Sequence, residues 1–381
     1  MKSMKILLIG EYSNVHATLA EGLRVLGHQV TVVSNGDFWK DYPRDIDLSR
    51  KPGKLSGIAY LARTIALLPK MTGFDVVQLI NPMFLELKAQ HIRPIYKFLR
   101  KYNQKVFLGA FGMDYYWVHE NITRKPLRYS DFNIGNTLRT DKAAQRERHD
   151  WVGTTKEKLN KMIATDCDGI IAGLYEYWAC YKPVYPNKTT FIPYPIKPAK
   201  TTRGESKNLS NHPLRLFIGI SKGRSAYKGT DIMLAAAKAI KEKYPEKVEL
   251  RIAEGLPFEQ YLQSMEGADA ILDQLYSYTP SMNPLEAMSR GIICIGGGEP
   301  ENYEILGDKD LKPIINVLPC YESVYKALER MVEHPEETER LKRESVEYIQ
   351  RYHHYLKVAQ QYIDFYKSPT ETPNSSPSTK Q

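Results

Sequence analysis

Residues 270–291, AILDQLYSYTPSMNPLEAMSRG, read as a buried strand that runs through a loop into a short helix. The run AILDQL has strand length, and the helix carries Leu285, Glu286, Ala287 and Met288. This strand–loop–helix step is the unit of a doubly wound α/β sheet, whose ligands gather beyond the carboxyl ends of the strands. Ser281, Met282 and Asn283 then stand at the helix N-terminus, where free backbone N–H groups and the helix dipole form an anion site. Glu286 lies one turn in, placed to accept hydrogen bonds from a ribose diol. An ordinary glutamate on a surface helix fits the same pattern.

Working outward, the same step occurs at LRLFIGI, 214–220, followed by SKGRSAYKGT, 221–230. Lys222, Arg224 and Lys228 crowd this strand-to-helix loop, where a diphosphate would need its charge neutralised, and arginine can bind it bidentately. A solvated basic loop is the bland alternative. Downstream, GGGEPEN, 296–302, places Gly297 and Gly298 after a strand, where backbone can approach a ligand closely, with Glu299 next. A tight turn would look the same.

The rest of the chain repeats the alternation. KILLI, 5–9, is a strand ended by Gly10; Leu19, Leu23 and Leu26 follow at helical spacing, Gly27 caps that helix, and Val30–Val33 is the next strand. A helix with Ile58, Leu61, Ile65 and Leu68 on one face precedes strands at 75–80, 105–109 and 169–172. The apolar run at 169–175 is broken by Glu176, far short of a membrane span. Residues 196–213 are polar and proline-bearing and read as a linker. The expected organisation is a first domain over 1–195, a second over 214–351, and a terminal helix over 352–367 returning to the first. That helix shows Tyr355, Val358, Ala359, Tyr362, Ile363 and Tyr366 on one face. Residues 368–381 read as a disordered tail.

Composition agrees with a globular chain of two domains: 381 residues, 42% hydrophobic and 25% charged. The first strand is too short and too soon followed by Glu11 to make a signal peptide. Cys167, Cys180, Cys294 and Cys320 show no metal-type spacing and suit a reducing cytoplasm as small core residues. The net charge of +9 admits nucleic acid, an anionic membrane surface or a phosphorylated substrate as partner. No nucleic-acid module is present, so phosphate-bearing substrate and membrane are favoured over it; a basic surface without a partner is the remaining reading.

In their order and spacing these elements resemble the retaining GT-B glycosyltransferases of family 4, the bacterial "glycosyltransferase group 1" type. The resemblance rests on Arg224 and Lys228-Gly229, on Asn283-Pro284-Leu285-Glu286-Ala287-Met288 with Gly291, and on Gly297-Gly298 with Pro300-Glu301. Gly10 and Gly27-His28-Gln29-Val30 match in the first domain. It extends over nearly the whole chain to about residue 366, leaving out the linker and tail. It implies two Rossmann-like domains facing across a cleft and a UDP- or GDP-sugar donor held mainly by the second. Arg224, Lys228 and Lys222 would neutralise the diphosphate, and Ser281, Met282, Asn283, Gly10, Gly297, Gly298 and Glu299 would line the donor site. Glu286 would hold the ribose, with no metal and no cofactor. The acceptor would be a glycan or lipid-linked, in cell-surface polysaccharide assembly, with the protein cytoplasmic and in peripheral contact with the inner membrane face.

Two departures stand out. The family places a carboxylate at the donor sugar eight residues before the ribose glutamate, and that position is Tyr278 here, which by its place would line the donor site instead. The segment between the strands at 247–252 and 269–275 holds only one loop and helix, so base recognition must be abridged, using Pro257 and Phe258. In the first domain, Asp114 in FGMD, 111–114, stands where many relatives have a His-Gly-x-Asp, and could bond an acceptor hydroxyl or cap a helix. The 26 tyrosines and the DYYWVH segment, 114–119, offer sugar-stacking or core surfaces. Asp166 and Asp168 read as turn and cap residues, and His353-His354 lacks a third ligand. A dinucleotide oxidoreductase fails because Glu-Tyr-Ser-Asn, not a glycine-rich turn, follows Gly10. A GT-B sugar-nucleotide epimerase, and a catalytically degenerate GT-B protein acting as a binding partner, remain as alternatives.

Overall fold

The computed structural model describes residues 2–53, 55–199, 212–220, 223–256 and 258–368. Most of the expected linker, the tail beyond Ser368, and Lys222 therefore lie outside the described residues.

Fourteen strands are present among them: β1 Lys5–Ile9, β2 Gln29–Ser34, β3 Ile46–Asp47, β4 Val76–Leu79, β5 Lys105–Ala110, β6 Asn133–Ile134, β7 Thr137–Leu138, β8 Gly169–Ala172, β9 Thr189–Phe191, β10 Leu214–Ile220, β11 Val248–Glu254, β12 Ala270–Leu272, β13 Ile293–Gly296 and β14 Ile315–Asn316. Two parallel sheets result, ordered β3-β2-β1-β4-β5-β8-β9 and β11-β10-β12-β13-β14, with β6 and β7 forming a separate hairpin. The buried strands are nearly continuous apolar runs, as parallel strands covered on both faces must be; Ile6, Leu7 and Leu8 are fully buried, as are Ile293 and Ile295. Helices fill the connections, which makes each sheet doubly wound. Strand order reverses between β1 and β4 and between β10 and β12, and both switch points open toward one cleft.

The last helix, Tyr355–Lys367, belongs with the first sheet. Val358, Ala359, Tyr362, Ile363 and Tyr366 are its buried face. Ala359 packs so closely on the helix Val15–Val25 that a Cβ on Gly22 would lie 2.8 Å from its own. Tyr366 donates to Gln78 of β4, and Lys105 reaches the carbonyl of Tyr366 at 2.9 Å. The crossing is fastened where Ile196 pairs with the backbone of His353 and Tyr355. A π-helical turn at Ile349–His353 separates this helix from the one before it.

Two expectations are corrected. Along the helix Ser56–Leu67 the expected apolar face is split: Leu61 packs partly against the core and Leu68, just after the helix, is buried, but Ile58 and Ile65 are 69% and 53% exposed and Tyr60 and Thr64 turn inward instead. Tyr60 anchors the rotation, because its hydroxyl receives the Glu86 backbone N–H from outside the helix at 3.3 Å. Helical spacing alone cannot say which side meets the sheet. Of the cysteines, Cys167, Cys180 and Cys294 are buried but Cys320 is exposed, at the start of the helix Tyr321–Glu333.

Candidate functional site

A cleft of about 1260 Å³ runs between the two sheets, lined by the loops that leave β1, β5, β10 and β12. From the second sheet, Arg224, Lys228, Ser281, Met282, Asn283 and Glu286 all reach it. The sequence brings them together through two local structures. Arg224 and Lys228 bracket a four-residue helical turn, Ser225–Lys228, which Gly229 ends at φ +75°. A side chain at Gly229 would also press within 2.8 Å of Leu275, so this glycine serves both the turn and the packing beneath it. Ser281 is the N-cap of the helix Met282–Ser289 and makes no side-chain cap bond, which leaves the backbone N–H groups of Met282 and Asn283 without a capping side chain at the cleft wall. Glu286 pairs with Arg290 one turn later at 2.7 Å.

Asp273 lies on the same wall, its carboxyl pushed up by loss of hydration although the Lys228 charge opposes the shift. Leu256 and Tyr261 line the end where a base would sit, and Tyr261 accepts from Asn283 at 3.0 Å. Pro257 and the Phe258 side chain lie outside the described residues. Between β11 and β12 the single helix Phe258–Met265 is the only element among the described residues.

Six expected site residues have other surroundings. Asp114 is fully buried as the N-cap of the helix Tyr115–Ile122, accepting from Trp117 N at 2.8 Å and from the Tyr181 hydroxyl at 2.7 Å. Burial raises its carboxyl to about 7, and it has no face toward an acceptor. Gly10 does not line the cleft either; with φ +87°, it lets the chain turn where a Cβ would strike Ile80 at 2.2 Å. Gly297 and Gly298 are likewise packing glycines: a Cβ at Gly297 would meet the Ser277 carbonyl at 2.3 Å, and one at Gly298 the Ile314 side chain at 2.7 Å. Glu299 is buried against the first domain, accepting from Arg128 at 2.7 Å and from the Tyr129 hydroxyl. Tyr278 joins that contact as well, its ring stacked with that of Tyr175, tilted against that of Tyr129 and covered by Arg128.

The first sheet contributes residues that, apart from Trp117 of the DYYWVH segment, no motif announced. Tyr12, Asp37, Trp39 and Lys40 form one lip; Trp117, Asp131, Glu176 and Tyr177 form the floor. Ser13, Asn14 and Asp37 hold positive φ in that lip, a conformation that costs energy in residues other than glycine. Asp37 accepts from Ser13 N at 2.8 Å and pairs with Lys40 at 2.6 Å. Asp131 accepts from Trp117 Nε1 at 3.1 Å, its carboxyl raised by desolvation against the pull of Arg139 and Arg224. Glu176, visible in the sequence only as a break in an apolar run, is a buried carboxylate reaching across the cleft. Its Oε1 accepts from Ser277 Oγ at 2.9 Å and from the N–H groups of Tyr278 and Thr279 at 2.7 and 3.0 Å, while Oε2 accepts from the Thr279 hydroxyl.

Two doubly wound parallel sheets facing across a cleft, with the terminal helix returning to the first, define the GT-B fold. Solved structures of glycosyltransferases share it. HepE of Anabaena, solved with UDP and glucose, aligns at a TM-score of 0.61 and 10% identity, over 97% of this chain and 100% of that one. A sucrose-phosphate synthase from Thermosynechococcus elongatus aligns at 0.61 and 14% identity, over 96% and 98%. The catalytic domain of starch synthase IV from Arabidopsis thaliana, bound to ADP and acarbose, aligns at 0.60 and 10% identity, over 96% and 99%. No protein-family model matches the sequence, and no curated protein matches it.

Proposed function

We propose that this chain is a glycosyltransferase that moves a sugar, a hexose or a related one, from a nucleotide-sugar donor to a glycan or lipid-linked acceptor. The observation that carries the reading is the convergence of Arg224, Lys228, the N-terminus of the helix Met282–Ser289 and Glu286 on one wall of the cleft. Breaking the bond between the sugar's anomeric carbon and the diphosphate leaves positive charge on the sugar and negative charge on the phosphate. Two cations and a helix N-terminus aimed at that phosphate stabilise the change in charge without a metal. Glu286 is assigned to the ribose hydroxyls of a UDP- or GDP-type donor, and Leu256 and Tyr261 to the base. With retention, the acceptor oxygen bonds the same face of the sugar that the diphosphate leaves, and the acceptor proton passes to the departing phosphate oxygen. The solved neighbours hold UDP, glucose and ADP, which supports a nucleotide-sugar site in this fold.

The acceptor is assigned to the first domain and, as a lipid-linked glycan in cell-surface polysaccharide assembly, to a cytoplasmic protein in peripheral contact with an anionic membrane. Support comes from residues 48–74, a stretch of 27 residues with no Asp or Glu and five Lys or Arg. Its helix turns Ile58 and Ile65 outward, with Leu55 just before it 71% exposed. Exposed apolar side chains among cations are the composition of an interfacial element. No helix among the described residues is long and apolar enough to cross a membrane.

Thermal shift across UDP-, GDP-, ADP- and dTDP-sugars tests the donor site, because a ligand that binds the folded state raises its melting point. No shift with any of them would remove the reading. Tyr278 favours one second reading, a GT-B protein that binds but does not transfer. Release of free nucleotide that depends on an added acceptor separates the two.

A further inference from the structure

Two side chains of the first domain bind the backbone of the second at the two loops that carry the proposed donor site. Arg139 follows the β6–β7 hairpin, and its side chain is only 7% exposed. Its guanidinium donates to the carbonyls of Ala226 and Tyr227, at 2.9 and 3.1 Å, and lies 3.6 Å from the centroid of the Tyr276 ring. Asp141 holds it from the other side at 3.2 Å. Those two carbonyls end the helical turn Ser225–Lys228, which is too short to satisfy them itself. The next carbonyl, that of Lys228, is taken by Leu275 N at 2.9 Å from within the second domain. The turn bracketed by Arg224 and Lys228 is therefore fixed from below by its own sheet and from across the cleft by Arg139. Glu176 does the same for the turn 277–279, which leads into the helix Met282–Ser289.

Resting on the transferase reading above, we propose that Arg139 and Glu176 are positioning residues. They hold the cationic turn and the turn before the helix in the geometry that meets the leaving diphosphate, and they do so only while the two domains face each other. Binding of a nucleotide to the second domain needs neither residue; aiming Arg224 and Lys228 at the leaving oxygen needs both. A planar guanidinium bridging two carbonyls and stacked on a ring cannot be copied by the single ammonium of a lysine, so Arg139→Lys should restore the function only in part.

The test uses the full chain, with UDP and GDP as binding probes in calorimetry. Turnover is followed with the nucleotide sugar that the ligand screen selects, and amide hydrogen exchange over 224–230 and 276–281. Displacing a catalytic group by about 1 Å can cost about 10²-fold in rate, so Arg139→Ala should lower kcat by about that factor while nucleotide affinity stays within about threefold of wild type. Exchange should rise over 224–230 in Arg139→Ala, fall back part of the way in Arg139→Lys, and rise over 276–281 in Glu176→Ala. Glu176→Gln keeps an accepting oxygen and should lie between wild type and Glu176→Ala. Unchanged kcat in both alanine variants overturns the proposal. So does a parallel loss of kcat, nucleotide affinity and melting temperature, which marks a merely structural role. If the wild type itself neither binds nor turns over any nucleotide, the transferase reading fails, and the exchange pattern alone decides whether the two residues order these turns.

Discussion

The hydroxyl of Tyr278 accepts the backbone N–H of Arg128 at 2.6 Å, from the opposite domain. Where the family resemblance expects a carboxylate at the donor sugar, this chain has a phenol turned away from the cleft into the domain contact. The Arg128 guanidinium in turn lies over the Tyr278 ring and pairs with Glu299 and Glu301. Tyr278 thus works with Glu299 as part of the junction between the domains, and its backbone N–H donates to Glu176 of the other domain at 2.7 Å.

Tyr278→Phe should therefore weaken the fold. It keeps the stacked ring but strips the acceptor from a part-buried N–H, a loss of about 1–3 kcal/mol. Chemical denaturation measures it. Tyr278→Glu should be worse, because its charge would arrive beside Glu299 and Glu301; a gain in stability from either change would refute the assignment.

Removing the cations should separate chemistry from binding. Lys228→Ala is expected to lower kcat by roughly 10²–10³-fold, as for loss of a preorganised donor to developing charge. Arg224→Ala should fall in the same direction. Steady-state kinetics with the cognate donor decide it, and wild-type kcat in folded Lys228→Ala would show that Lys228 does not meet the leaving group.

Glu286→Gln should act on binding instead. A ribose contact equal in ground and transition states raises the donor KM and leaves kcat alone. Loss of a charged hydrogen bond is worth about 1.5–3 kcal/mol, though release of Arg290 from its ion pair will offset a part. If kcat collapses while donor affinity holds, Glu286 belongs to the chemistry.

Asp114→Asn should alter how stability depends on pH. The buried carboxyl titrates near 7 in the folded chain against an ordinary value of 3.8, so the folded state keeps a proton that the unfolded chain gives up. Between those values the native state binds more protons, and stability falls as pH rises through that window. Asparagine has nothing to ionise. Melting temperatures of the two proteins should diverge from pH 4 to pH 8, with the variant gaining relative to wild type; a constant difference would mean that Asp114 is charged throughout.

Ile58→Glu with Ile65→Glu should abolish binding to vesicles that contain anionic lipid. Each nearby Lys or Arg contributes on the order of 1 kcal/mol at such a surface, and salt should weaken binding of the wild type. Cosedimentation that ignores salt, or that the two substitutions leave unchanged, would count against a membrane role for this helix.

Much of the architecture was legible in sequence because buried parallel strands leave continuous apolar runs between glycine-ended helices. LRLFIGI and GIIA coincide with β10 and β8, and the face Val358, Ala359, Tyr362, Ile363, Tyr366 is the buried one. The second-domain cations and the helix at 282–289 were legible for a related reason. Each lies next to the strand that places it, so local spacing carried the geometry.

Tertiary structure alone decided the rest. Glu176, Arg139 and Asp131 sit in helices and loops of the first domain with no pattern around them, and they acquire meaning only through partners 87 to 103 residues away or through the cleft they line. Sequence placed Asp114 at the end of a strand, yet whether its carboxylate faced an acceptor or a helix N-terminus depended on how Tyr181 packed over it. The same holds for the helix at 56–67, where periodicity gave an apolar stripe but not the direction it would face. Local sequence determines which elements form, because propensity and spacing act over a few residues. Which buried polar group meets which partner is set by the packing of whole domains, and in this chain that packing brings the first domain's Arg139 and Glu176 onto the loops of the second.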